Sequence, residues 1–123
     1  MSGLNVVDSS GWLEYLKGSD RAELFAPAAE DQANLIVPII TVYEVYKKFR
    51  RERTERDAQE VIGTMMNGKV VDLDLSLAID AAKLDLPLAD SIIYATAQYH
   101  QATLWTQDED FEGLPGVRYF PKQ

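Results

Sequence analysis

The 123-residue chain contains no cysteine and only one histidine, His100. The first absence excludes disulfide scaffolds, zinc–thiolate sites, iron–sulfur clusters and thiol nucleophiles, and it suits a reducing compartment. With a single histidine no multi-histidine metal site can form, so any bound ion must be a hard one held by oxygen. Positive charge is also scarce: 12 Lys and Arg stand against 20 Asp and Glu, a net charge of −8. Such a chain repels nucleic acid and anionic membranes over most of its surface. No apolar run approaches the roughly 20 residues of a membrane span. The opening residues lack the basic-then-apolar order of a secretory signal. The expectation is a cytoplasmic protein with no membrane partner. A glycine loop able to cradle a nucleoside triphosphate is missing too, as are internal repeats and Pro/Gly/Ser-rich linkers.

What remains is an ordinary globular balance, 46% apolar and 26% charged. The length allows one core, and a single domain over residues 1–123 is expected. Short apolar runs alternate with segments of helical period. Leu4 to Val7 reads as a buried strand, followed by a helix capped by Ser9 or Ser10 and stopped at Gly18. Asp20 to Asp31 is helical, with Pro27 in its middle, and Leu35 to Val37 is a second strand. Val42, Val45, Tyr46 and Phe49 then fall on one helical face, and Ala58, Val61, Ile62, Met65 and Met66 repeat the spacing up to Asn67-Gly68. Val70-Val71 is a third strand and Ser76 to Leu84 a helix. After Pro87, a helix buries Ala89, Ile92, Ile93, Thr96 and Ala97. Thr103 to Trp105 and Val117 to Phe120 complete the strands. Strands separated by helices imply a parallel sheet with right-handed crossovers, the α/β class.

Functional groups of such a sheet gather outside the carboxyl ends of its strands. Asp8, Glu44, Asp90, Asp108 and Asp110 all emerge at that edge, from segments far apart in the chain. Close carboxylates repel one another and hold protons tightly, whereas a divalent cation turns the same cluster into a binding site. Mg²⁺ or Mn²⁺ so held activates water and stabilises a phosphodiester under in-line attack. Each acid also has a plainer reading. Thr41-Val-Tyr-Glu44 fits a capping box. Asp8 and Asp90 fit first-turn acids facing a helix dipole, and Asp108 and Asp110 fit turn residues. Asp72 and Asp74 follow a strand as well and read as solvated loop acids. The coincidence of the five at one edge favours the cluster. Thr106, beside Asp108, is positioned to order a carboxylate or a water.

Six of the basic residues lie between Lys47 and Arg56. Lys47, Lys48, Arg50, Arg51 and Arg53 continue the helix that carries Glu44. They read either as a solvated face or as counter-charges for an RNA backbone. His100 reads as a helix-end histidine. Trp12, Tyr15 and Tyr46 read as packing residues.

Four segments occur in order: Val-Val-Asp8-Ser-Ser; the Glu44 helix after Ile-Val-Pro-Ile-Ile-Thr; Leu-Ala-Asp90-Ser-Ile-Ile-Tyr-Ala-Thr-Ala; and Leu-Trp-Thr106-Gln-Asp108-Glu-Asp110-Phe. Together they resemble the PIN-domain ribonucleases over nearly the whole chain, most closely the small VapC-type toxins of toxin–antitoxin pairs. The resemblance implies a three-layer α/β/α sandwich on a central parallel sheet of four or five strands. It implies an acidic quartet holding Mg²⁺ or Mn²⁺, and endonucleolytic cleavage of structured RNA, a transfer or ribosomal RNA, by metal-activated water. Asp8, Glu44 and Asp90 match that quartet directly. For the fourth acid Asp108 is preferred, with Asp110 as its support or as a helix cap; Ser9 and Thr106 are further supporting residues. A homodimer and a VapB-type antitoxin partner are also implied. Two other readings stay open: a PIN-like RNA-processing nuclease without an antitoxin, and a non-catalytic α/β binding module.

Overall fold

The computed structural model describes residues 3–122. Its five strands are β1 (Asn5–Val7), β2 (Leu35–Pro38), β3 (Lys69–Val71), β4 (Thr103–Thr106) and β5 (Val117–Tyr119). The helices are α1 (Ser9–Lys17), α2 (Ala22–Ala29), α3 (Ile39–Glu52), α4 (Glu55–Met65), α5 (Leu75–Ala82) and α6 (Leu88–Tyr99). Two single 3-10 turns cover Gln32–Asn34 and Glu109–Phe111. The sheet runs β3-β2-β1-β4-β5, and all four pairings are parallel.

Alternation along the strands divides the core into two layers. Val7, Leu35, Val37 and Trp105 face one side, where Trp12, Phe25, Val45, Phe49 and Met65 of α1–α4 pack on them. Their neighbours Val6, Ile36 and Leu104 face the other side, against Ile93, Tyr94 and Ala97 of α6 and Phe111. Side chains at successive strand positions point to opposite faces, so strands of three or four residues serve both layers. Helices cover both faces, as expected of a three-layer α/β/α sandwich. Fully burying a side chain such as Phe25 or Phe49 stabilises the fold by about 1.5–3 kcal/mol.

The chain builds β1-β2-β3 outward in one direction, then crosses back to lay β4 and β5 on the other flank of β1. The order therefore reverses at β1 and β4, and crevices outside such reversal points are where α/β sheets bind ligands. Asp8 follows β1, and Asp108 lies just beyond β4.

Several local expectations need correction. The N-cap of α1 is Asp8, not Ser9 or Ser10: its carboxylate accepts the Gly11 N–H. Glu44 belongs to no capping box, because α3 starts directly after Pro38 and Thr41 lies inside the helix, donating to the Pro38 carbonyl. Asp74 is not a solvated loop acid but the N-cap of α5, accepting from the Leu77 N–H. That helix runs Leu75–Ala82 rather than from Ser76 to Leu84. Helix α2 is shorter than the expected Asp20 to Asp31 but keeps Pro27 inside. Met66, expected on the buried face, is 64% exposed just beyond the end of α4.

Candidate active site

Asp8 sits where β1 gives way to α1, only 2% exposed. Its carboxylate accepts from three donors. Thr106 Oγ1 donates to Oδ2 at 2.7 Å, the Gly11 N–H to Oδ1 at 2.8 Å, and Ser10 Oγ reaches both oxygens at 2.9 Å. Burial raises the Asp8 pKa to about 6, against the lowering effect of the Thr106, Gly11 and Ser10 bonds; the nearby Asp108 charge adds to the rise. Gly11 is required here by space. A Cβ at that position would come within 2.7 Å of the Phe25 ring and 2.8 Å of a Val7 methyl.

Asp90 lies in the first turn of α6, half-buried. Its pKa rises to about 7, first through burial and then through the charges of Asp108, Asp8, Asp110 and Glu44. All four of the other acids thus act electrostatically on Asp90. One carboxylate oxygen each from Asp90, Asp108 and Asp110 lies within 4.8 Å of the other two. Asp8 and Glu44 flank that trio rather than join it. Asp108 also accepts the Asp110 N–H at 2.9 Å and caps the turn at Glu109–Phe111. Asp110 therefore does not serve as the cap. Glu44 receives a hydrogen bond from the Ser9 hydroxyl. Thr106 Oγ1, besides donating to Asp8, accepts the Asp108 N–H at 2.9 Å, so one hydroxyl ties two of the acids together.

Among the described residues, no lysine or arginine forms an ion pair with any of these five acids. A carboxylate cluster without a compensating cation is costly, and a hard dication relieves that cost. The donors are all oxygen, as Mg²⁺ and Mn²⁺ prefer. The residues present fit such an ion.

A supporting network lies behind Asp108. Gln107 is buried, and its amide donates to Glu14 Oε2 at 2.7 Å while its carbonyl accepts from Arg21 Nε at 2.6 Å. Arg21 Nη2 also donates to the Phe120 carbonyl at 2.9 Å. The Ser19 and Gln107 hydrogen bonds hold the Glu14 pKa below its usual range. Sequence reasoning missed Ser10, Gly11, Gln107, Arg21 and Glu14 as supports of the site. Ser10 and Gly11 carried a signal, since a strand-end Asp followed two and three residues on by a hydroxyl and an N–H is a helix-cap geometry.

The basic stretch on α3 is partly neutralised. Lys48 pairs with Glu52 at 2.8 Å, and Glu52 also takes Lys17 at 2.9 Å. Arg50 pairs with Glu55 at 3.0 Å. The Arg53 guanidinium lies over the Phe49 ring, 5.3 Å from its centroid. Lys47, Arg51 and Arg53 have no carboxylate partner among the described residues.

Residues 6–117 match the PIN domain family. The chain is a PIN domain. A search of curated proteins finds no match. Among solved structures, it is similar to a chain of a toxin–antitoxin complex from Klebsiella pneumoniae, with a TM-score of 0.81 and 23% identity, covering 96% of this chain and 99% of that one. It is similar to a chain of DNA-bound VapBC from Salmonella typhimurium, with a TM-score of 0.76 and 17% identity over 96% of this chain and 97% of that one. It is also similar to VapC20 of Mycobacterium tuberculosis, described as a sarcin–ricin loop cleaving toxin, with a TM-score of 0.75 and 16% identity over 92% and 96%. At these identities the likeness speaks for the fold of this PIN domain. No helix among the described residues is long and apolar enough to cross a membrane.

Proposed function

We propose that this PIN domain is a Mg²⁺- or Mn²⁺-dependent endoribonuclease that acts as the toxin of a toxin–antitoxin pair and cleaves structured RNA, a transfer or ribosomal RNA. The observation that carries the reading is the trio of Asp90, Asp108 and Asp110 oxygens within 4.8 Å, with Asp8 and Glu44 acting on Asp90 and, among the described residues, no lysine or arginine ion-paired to any of the five. The solved relatives that are toxins, one of them named for cleaving an RNA loop, support the choice of substrate and partner.

In this reading Asp90 and Asp108 hold the ion, with Asp8 and Asp110 completing its oxygen surroundings. When bound, a divalent cation supplies the positive charge that acidifies a water and offsets charge building on the phosphate. Glu44, held by the Ser9 hydroxyl, orients the attacking water. Thr106 keeps Asp8 and the Asp108 backbone in register, so the acids meet the ion without rearranging. Hydrolysis breaks the P–O3′ bond and leaves a 5′-phosphate and a 3′-hydroxyl. The partner is a VapB-type antitoxin, and the functional form is a homodimer.

The test is cleavage of bacterial RNA by the purified chain in Mg²⁺ or Mn²⁺. Chelation, Asp8→Asn and Asp90→Asn are each expected to abolish it; undiminished cleavage in all three overturns the reading. Expression is expected to arrest growth until the adjacent antitoxin gene is supplied, and harmless expression would remove the toxin role while leaving the nuclease.

A further inference from the structure

A cavity of about 410 Å³ lies on the β5 side of the acids, lined by Ser10, Gln107, Asp108, Glu109, Tyr119 and Lys122. That volume is within the range of roughly 300–1,000 Å³ typical of small-molecule sites. Asp108 belongs both to this cavity and to the acidic trio, so an occupant lies directly beside the trio.

The sheet and its braces fix the walls. Tyr119 is the last residue of β5 and pairs in register with Thr106, and the Phe120 N–H donates to the Thr106 carbonyl at 2.9 Å. Gln107 is held at both ends of its amide by Glu14 and Arg21, and the Ser10 hydroxyl is spent on Asp8. Three lining groups stay unused. The Glu109 carboxylate, the Tyr119 hydroxyl and the Lys122 ammonium have no hydrogen-bond or ion-pair partner among the described residues. Burial first, and then the charges of Glu112, Glu109 and Asp108, raise the Tyr119 pKa, so the phenol keeps its proton.

Glu109 calls for hydrogen-bond donors, Lys122 for an anion, and the Tyr119 ring for a flat apolar face. A bare phosphate is repelled by Glu109 and Asp108, and a cationic protein side chain by Lys122. A nucleotide suits all three, because an unpaired base stacks on aromatic rings and offers its Watson–Crick edge while its phosphate meets a cation. Guanine alone sets two donors, N1–H and N2–H, side by side on that edge, matching the two oxygens of one carboxylate. Adenine and cytosine each place one amino group beside a ring acceptor, which a carboxylate repels, and uracil sets its single N–H between two carbonyls.

We propose that this cavity reads a guanine base next to the scissile phosphate. Glu109 accepts from its N1–H and N2–H, the Tyr119 ring stacks on it, and Lys122 holds the adjoining phosphate. Resting on the ribonuclease reading, this assignment adds base identity to it: the acids hold the ion, and Glu109, Tyr119 and Lys122 choose where along an RNA the ion acts.

The test is nucleotide binding, followed by the position of cuts. Purified chain in EDTA is titrated with GMP, IMP, AMP and guanosine, and the amide NMR shifts of residues 107–122 are followed. GMP is expected to saturate and to bind about tenfold tighter than AMP and than IMP, which lacks only the N2 amino group. Glu109→Ala is expected to erase that preference, and Tyr119→Leu to weaken all three nucleotides. Lys122→Gln is expected to weaken GMP severalfold and to leave guanosine unchanged. Glu109 and Lys122 are exposed, so their variants keep the thermal midpoint of the parent chain. In Mg²⁺ the parent's cuts in RNA are expected beside guanines, and those of Glu109→Ala are not. Equal affinity for GMP, IMP and AMP, or no saturable binding, overturns the proposal, as does a guanine preference that survives Glu109→Ala. Guanine binding without guanines beside the cuts makes the cavity a site for free nucleotide and overturns it too. Variants that lose only a protein partner's binding overturn it equally. A chain that binds GMP as described yet cleaves no RNA overturns the nuclease reading and leaves the guanine cavity standing.

Discussion

The Thr106 hydroxyl donates to Asp8 Oδ2 at 2.7 Å across 98 residues of sequence, and the same oxygen accepts the Asp108 N–H at 2.9 Å. A buried hydroxyl used in both directions fixes the separation of two acids that would otherwise repel. Replacing it by valine keeps the volume but leaves a buried carboxylate short of a donor and an N–H short of an acceptor. Such losses cost about 1–3 kcal/mol each when a buried group is left unpaired. Thr106→Val is expected to lower stability by about that amount and to weaken Mn²⁺ binding about tenfold or more. Thr106→Ser restores both. Calorimetry with Mn²⁺ alongside urea unfolding checks it, and unaltered Mn²⁺ affinity in the valine variant contradicts it.

The raised carboxyl pKa values fix the sign of a pH dependence. Asp8 rises from 3.8 to about 6 and Asp90 from 3.8 to about 7. Above 3.8 the folded chain therefore holds more protons than the unfolded one, and stability falls as pH rises. Their contribution is complete below about pH 4 and is lost as pH passes 6 and 7. Without divalent ions, the thermal midpoint is expected to drop between pH 5 and 8 relative to Asp90→Asn. Mg²⁺ or Mn²⁺ is expected to reverse the drop in the parent chain alone. A midpoint difference between the two chains that is independent of pH would count against this account.

Arg21 joins Gln107 to the Phe120 carbonyl, and Gln107 joins it in turn to Glu14. Arg21→Leu leaves the buried Gln107 carbonyl unpaired and unties β5 from the turn that carries Asp108. The expected cost is about 1–3 kcal/mol, together with faster amide hydrogen exchange over residues 117–120 and 107–110. Unchanged exchange in both segments would show that the network does not brace the turn.

Gly11 leaves no room for a methyl group, with Phe25 and Val7 closing on it. Gly11→Ala forces both core side chains aside, an overpacking cost of typically 1–3 kcal/mol. Its N–H can still donate to Asp8, so Mn²⁺ affinity is expected to change less than the urea midpoint does. An alanine variant as stable as the parent would contradict the packing.

Much of this arrangement was legible in the sequence because it depends on periodicity. Short apolar runs marked five strands, and a 3.6-residue period marked helices between them. Carboxylates at strand ends then share one edge by topology alone. What the sequence conceals is pairing over distance. Nothing in its spacing shows that Thr106 reaches Asp8, that Arg21 reaches Gln107 across 86 residues, or that Ser9 serves Glu44. Local motifs misled where tertiary structure competed with them. Thr41 and Glu44 have capping-box spacing, but Pro38 starts α3 straight from β2, so Thr41 turns to the Pro38 carbonyl and Glu44 to Ser9. Asp74 looked like a loop acid because its helix begins one residue earlier than the apolar pattern indicates. The basic stretch looked uniform, yet Glu52 and Glu55 cancel part of it and leave Lys47, Arg51 and Arg53 without a carboxylate partner among the described residues.

The sheet order also has a temporal consequence. Because β4 docks beside β1 after every other strand but β5 has been made, a nascent chain released only through α5 carries Asp8 and Glu44 and none of Asp90, Asp108 or Asp110. The acid trio therefore comes together only once the last third of the polypeptide has been added.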